Sequence, residues 1–124
     1  MPLFKILLID ANTTFSATFS ALLRRTGYQV EVADTLPDGL TQFNREGADL
    51  VLLGIENEKV ASEELTHTFA SCKTIFLLPS AEGRSDDSPQ KGRVKDHLAF
   101  YKPFRTEEVL AAIYTALVAR PAAV

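Results

Sequence analysis

Lys5 to Asp10 reads KILLID, and Asp49 to Ile55 reads DLVLLGI. Around them Phe4 to Ile9 and Ala48 to Leu53 are apolar runs too short for a helix and nearly free of polar alternation, the pattern of a strand covered on both faces of a parallel sheet. The first ends on Asp10 and the second is broken by Gly54. Between them the period changes twice. From Asn12 onward Phe15, Phe19, Leu22 and Leu23 fall at helical spacing, with Asn12 or Thr13 able to cap the start and Gly27 able to close the last turn. Tyr28 to Ala33 then alternates, placing Tyr28, Val30 and Val32 opposite Gln29 and Glu31, as a half-exposed edge strand does. A second helix follows from Thr35, where Thr35 and Asp38 stand at capping-box spacing, Pro37 lies in the first turn, Leu40 and Phe43 face inward and Gly47 ends the segment.

The second half repeats the alternation. Ile55 to Ala61 is a charged loop, and Ser62 can cap a helix with Leu65, Phe69 and Cys72 on one stripe. Thr74 to Leu78 is a third buried strand, stopped by Pro79. Ala81 to Lys95 carries Gly83, Pro89 and Gly92 among dense charge and offers almost nothing to a core, so a short or frayed helix is expected there. Leu98 to Tyr101 is the last strand. Thr106 then caps a final helix whose first turn holds Glu107 and Glu108 and whose inner face is Val109, Ile113 and Leu117. Alternating strands and helices predict an α/β domain, doubly wound about one parallel sheet with right-handed crossovers. In such sheets the chemistry sits at the carboxyl ends of the strands, which directs attention to Asp10, Gly54, Pro79, Ser80 and Lys102.

Composition agrees with this architecture. The chain has 124 residues, 46% hydrophobic and 23% charged, with a formal net charge of −3, which suits one domain that buries roughly two-thirds of its unfolded surface. Residues 1–120 are expected to form it, and residues 121–124 a tail or the start of a linker. Cys72 is the one cysteine, so no internal disulfide forms. No apolar run approaches the roughly 20 residues of a membrane span, and Lys5 and Asp10 bracket too short a run for a signal peptide. A cytoplasmic protein without membrane contact is expected. The mild acidity argues against nucleic-acid binding.

Taken together, KILLID, Gly27-Tyr28, DLVLLGI, Ser80-Ala81 and Lys102-Pro103-Phe104 resemble the receiver domain of two-component response regulators over nearly the whole chain. That resemblance implies a flavodoxin-like (βα)5 fold with five parallel strands in the order 2-1-3-4-5. It also implies a bacterial source and a site where an aspartate after the third strand accepts a phosphoryl group. Two acidic residues after the first strand would hold Mg²⁺ there, a lysine would neutralise developing charge, and a hydroxyl would sense the product. Asp10, Lys102 and Ser80 match three of those positions. Gly54 stands at the acceptor position and Ala11 at the second acidic one, and glycine has nothing to phosphorylate. Asp49 begins the strand at its far end, and Glu56 and Glu58 would approach from another direction. Displacements of about 1 Å can cost on the order of a hundredfold in such transfers. Asp10 supplies a single carboxylate, so no metal site or cofactor is expected and Mg²⁺ binding should be weak or absent. Ala99, three residues before Lys102, replaces an aromatic that many receivers use in switching. The loop after Gly54 has Asn57-Glu58 and Ala61-Ser62 in place of the family's Met-Pro and Asp-Gly steps.

The expected function is therefore that of a pseudo-receiver: a non-enzymatic domain of a phosphorelay pathway that acts by protein–protein interaction, with Asp10, Gly54, Ser80 and Lys102 as a vestigial phosphorylation pocket. The alternatives are a phosphorylated receiver with an unrecognised acceptor, and a flavodoxin-like pocket that binds a small ligand or anion beside Lys102. Asp10 and Lys102 read more readily as an ion pair between strand ends than as catalytic remnants. Gly54 fits either a close approach or positive φ, or a tolerated loss. Ser80 reads as a loop hydroxyl, His67 and His97 as lone histidines at the surface or a strand end, and Cys72 as a small buried hydrophobe. Lys91, Arg93 and Lys95 read as a solvated basic cluster, and no glycine-rich phosphate loop follows the first strand. For a partner surface, Leu110, Tyr114 and Val118 form a second apolar stripe on the last helix, near Phe100 and Tyr101. This would be the side formed by the fourth helix, fifth strand and last helix, through which receivers commonly bind a partner or a second copy. Core packing explains the same stripe equally well.

Overall fold

A computed structural model describes residues 4–55, 72–78, 91–94, 97–102 and 105–118. Its elements are β1 (Lys5–Ile9), α1 (Thr13–Thr26), β2 (Gln29–Ala33), α2 (Leu36–Glu46), β3 (Leu50–Gly54), β4 (Lys73–Leu78), β5 (Lys91–Val94), β6 (His97–Tyr101) and α3 (Thr106–Val118). One sheet runs in the order β2-β1-β3-β4-β6-β5. The strands β2, β1, β3, β4 and β6 pair parallel with one another in that order. They reproduce the expected 2-1-3-4-5 order.

The sixth strand corrects the reading of Ala81 to Lys95 where that stretch is described. Lys91–Val94 is not helical but pairs antiparallel with β6, Lys91 opposite Phe100 and Val94 opposite His97. A segment with no apolar face to bury can still satisfy its backbone by adding to an edge. Residues 79–90, including Pro79 and Ser80, lie outside the described residues. So do the expected helix from Ser62 and its stripe residues Leu65 and Phe69, the loop carboxylates Glu56 and Glu58, His67 and residues 119–124.

Local signals explain the helices that are described. The Asn12 side chain accepts from the Phe15 amide, and Gly27 closes α1 at φ 113, a left-handed conformation that costs glycine little. Thr35 caps α2 by accepting from the Asp38 amide at 3.2 Å, with Pro37 in the first turn. Thr106 is the first residue of α3 rather than its cap; the amides of Glu108 and Val109 turn back to the Arg105 carbonyl. Gly54 likewise belongs to β3, where it pairs with Leu77.

Strand alternation divides the core in two. On one face Leu7, Ile9, Val51, Leu53, Phe76, Leu78, Ala99 and Tyr101 meet Leu36, Leu40 and Phe43 of α2. On the other, Ile6, Leu8, Leu50, Leu52, Ile75, Leu77 and Phe100 meet Phe19 and Leu23 of α1 and Val109 and Ile113 of α3. Helices thus cover both faces, as a parallel sheet requires. No helix among the described residues is long and apolar enough to cross a membrane.

Gly39 brings α2 onto β1 at close range, and a methyl group there would strike the Cδ1 and Cγ1 atoms of Ile9. Gly39→Ala should therefore destabilise the fold by about 1 kcal/mol, overpacking outweighing the helix-propensity gain of alanine. Chemical denaturation checks the loss, and Ile9→Val, which removes Cδ1, should recover part of it in the double variant.

Candidate functional site

The ladders continue one residue past the strand ends. Asp10 N–H donates to the Ala33 carbonyl, Ile55 N–H to Leu77 and Lys102 N–H to Leu78. Asp10 and Lys102 are thereby fixed at the carboxyl edge of the sheet, with the end of β3 and all of β4 between them. Their side chains meet: Lys102 Nζ lies 2.7 Å from Asp10 Oδ2. The other carboxylate oxygen, Oδ1, accepts from the Asn12 backbone N–H at 2.9 Å. Asp10 is only 5% exposed, a position in which a carboxylate needs these donors to offset its lost hydration. The ammonium of Lys102 also lies 4.0 Å from the centroid of the Phe15 ring, a cation–π distance, and Phe15 stacks on Phe19 at 5.4 Å.

Gly54 completes the arrangement by lacking a side chain. A Cβ at this position would stand 2.6 Å from Asp10 Oδ2, 2.8 Å from Asp10 Cγ and 3.1 Å from the Ile9 carbonyl oxygen. The positive-φ glycines among the described residues are Gly27 and Gly47, so Gly54 serves a close approach and not a special backbone angle. The carboxylate of Asp10 fills the space that a residue with a Cβ would claim.

Three of the residues singled out in the sequence are thus brought together, Asp10, Gly54 and Lys102, while Ser80 lies outside the described residues. Ala11 is exposed beside them. Asp49 is at the opposite end of the sheet, where its Oδ2 accepts from the Lys5 N–H at 2.7 Å. No group of three or more His, Cys, Asp or Glu among the described residues is arranged to hold a metal ion. A cation at Asp10 would have to compete with Lys102 for the same oxygen. Asn12 and Phe15 are the contributors that sequence reading missed in this role. Asn12 had a signal as a helix cap, but nothing in the spacing places the Phe15 ring against Lys102.

The expected partner surface is corrected in part. Phe100 is fully buried and Tyr101 is 8% exposed, on opposite faces of the sheet. Both belong to β6, which is flanked by β4 and β5, and both side chains are buried, so neither is available to a partner. Leu110 packs against the core. Tyr114 and Val118 remain exposed at 61% and 43%. Tyr114 also helps, after burial, to push the Tyr28 hydroxyl above its ordinary pKa.

The fold has well-matched relatives among solved structures. A CheY-like response regulator receiver domain protein from Methanospirillum hungatei superposes with TM-score 0.71 at 22% identity, covering 94% of both chains. A receiver domain protein from Clostridium thermocellum gives 0.70 at 23% identity, over 93% of this chain and 94% of that one. The chemotaxis protein CheY4 of Vibrio cholerae gives 0.69 at 19% identity, over 94% of this chain and 100% of that one. No protein-family model and no curated protein matches the sequence. The likeness is one of fold.

Cys72 precedes β4 and packs against the α2-side core. Burial first, and then the Asp49 carboxylate, push its thiol up to about 11. At pH 8 the thiolate fraction is then about one in a thousand, against about a quarter for an ordinary thiol. Iodoacetamide labelling at pH 8, followed by intact mass, should be about a hundredfold slower in the folded chain than in the denatured one.

Proposed function

We propose that this chain, which has the fold of response-regulator receiver domains, works in two-component signalling as a protein-binding module that is not phosphorylated on aspartate. The observation that carries this reading is the occupancy of the acceptor position. Where the receiver pattern calls for a nucleophilic carboxylate, Gly54 leaves a gap into which Asp10 folds, and Asp10 is held there by Lys102.

Phosphoryl transfer from a small donor needs an aligned oxygen nucleophile, a cation on the transferred oxygens and a positive charge free to follow them. Here Gly54 has no nucleophile and Ala11 no metal-binding oxygen. Lys102 is engaged with Asp10. That engagement also weighs against an anion pocket at Lys102, because an entering anion would have to displace a carboxylate already held at 2.7 Å. Binding then falls to the outer surface. The exposed Tyr114 and Val118 on α3 form an apolar pair of the kind that supports contact with a partner or a second copy.

Incubation with acetyl phosphate or phosphoramidate and Mg²⁺ should leave the intact mass unchanged, and an adduct on Asp or Glu would overturn the reading. Gly54→Asp alone should also remain unphosphorylated. The new carboxylate would arrive beside Asp10 with no second metal ligand at Ala11, and robust labelling of this single variant would show that Ala11 matters less than argued. For the surface, Tyr114→Glu should weaken self-association in sedimentation or capture of a partner. Unchanged profiles in both would leave Tyr114 with no role in binding.

A further inference from the structure

We propose that Asp10, Gly54 and Lys102 form a fixed latch, in which the Asp10 carboxylate occupies the place of a side chain at position 54, holds Lys102, and ties the ends of β1 and β6 in one conformation. This deepens the reading of the chain as a receiver-fold domain that works without phosphorylation, and rests on it.

Lys102 and Asp10 belong to strands separated by β3 and β4, so their contact closes across the sheet edge and does not arise from adjacency. The path passes over the end of β3. There a Cβ on residue 54 would stand 2.6 Å from Asp10 Oδ2, so the carboxylate would have to move from its place beside Lys102. Each partner is held from a second side as well: Asp10 Oδ1 by the Asn12 amide at the start of α1, and the Lys102 ammonium by the Phe15 ring one turn further along that helix. Four elements, β1, β3, β6 and α1, therefore meet at one ion pair. With Asp10 nearly buried, opening it would leave a carboxylate without its cation in a dry setting, which holds the edge closed. A surface supported by this edge is presented in the same form whether or not a phosphoryl donor is present.

The test is a double-mutant cycle read by denaturation midpoint and by amide hydrogen exchange at positions 12 and 102. Gly54→Ala alone should lower the midpoint and speed exchange at both amides about tenfold, because the new methyl dislodges the carboxylate. In an Asp10→Ala background the same Gly54→Ala change should lose at least half of its effect, since alanine otherwise restricts the unfolded chain and favours folding. Less than half would overturn the latch. Should Gly54→Ala fail to fold, Lys102→Met serves in its place: it removes the charge while retaining an apolar stem, and should also speed exchange at both positions about tenfold. Unchanged exchange in that variant would overturn the proposal. Acetyl phosphate treatment of the unmodified chain separates the two claims. An adduct there would sink the unphosphorylated reading while the cycle still judges the latch, and a failed cycle with no adduct would sink the latch alone.

Discussion

A carboxylate that is 5% exposed at the end of a central strand imposes demands on everything near it. Left unpaired, such a group costs several kcal/mol or takes up a proton. Asp10 meets the demand with one backbone donor and one ammonium. The ammonium comes from the end of β6, three strand spacings away and so about 14 Å along the sheet. For the two to meet, β6 must run parallel and in register with β4, Lys102 must extend that ladder one residue past Tyr101, and the end of β3 must stay clear. All three hold: Phe76 to Leu78 pair with Ala99 to Tyr101, the Lys102 amide bonds Leu78, and residue 54 is glycine.

The rest of the molecule supplies the rigidity on which that meeting depends. Alternation sends one set of strand residues to α2 and the other to α1 and α3, so sliding one strand by a residue would turn its apolar side chains to the wrong layer. Register is thus fixed from both faces, and with it the height at which each strand ends. The α1 side does two tasks at once. Phe19 and Leu23 fill the core while Phe15, one turn earlier and only half-buried, turns its ring to Lys102.

Much of this was legible in the sequence because it rests on local chemistry. The caps Asn12 and Thr35 and the terminal Gly27 and Gly47 act within a few residues of themselves, and the apolar periods of α1, α2, β1, β3 and β4 report burial directly. The pairing of Asp10 with Lys102 was also within reach, since both fall at strand ends. What remained hidden depends on distant neighbours. KGRV has neither alternation nor an apolar run, and it is a strand only because β6 offers an edge to it. Phe100 and Tyr101 looked available to a partner because the sequence does not show that β6 is flanked on both sides. The two readings of Gly54 could not be separated without knowing where the Asp10 oxygens lie.

The two departures at the strand ends are better understood as one change than as separate losses. In the proposed reading, many residues without a carboxylate would leave position 54 with nothing to phosphorylate, but one with a Cβ would also press on Asp10 Oδ2 and Cγ. Glycine offers no nucleophile and leaves the Asp10 carboxylate its place beside Lys102. The same logic reaches Ala11. A second carboxylate beside Asp10 would add a like charge that the single ammonium of Lys102 could not fully balance, and that a divalent cation would normally answer. With alanine there, Asp10 and Lys102 form a pair of one anion and one cation among the described residues. In the proposed reading, glycine at 54 and alanine at 11 leave Asp10 and Lys102 to satisfy each other, with no call for an incoming phosphoryl group.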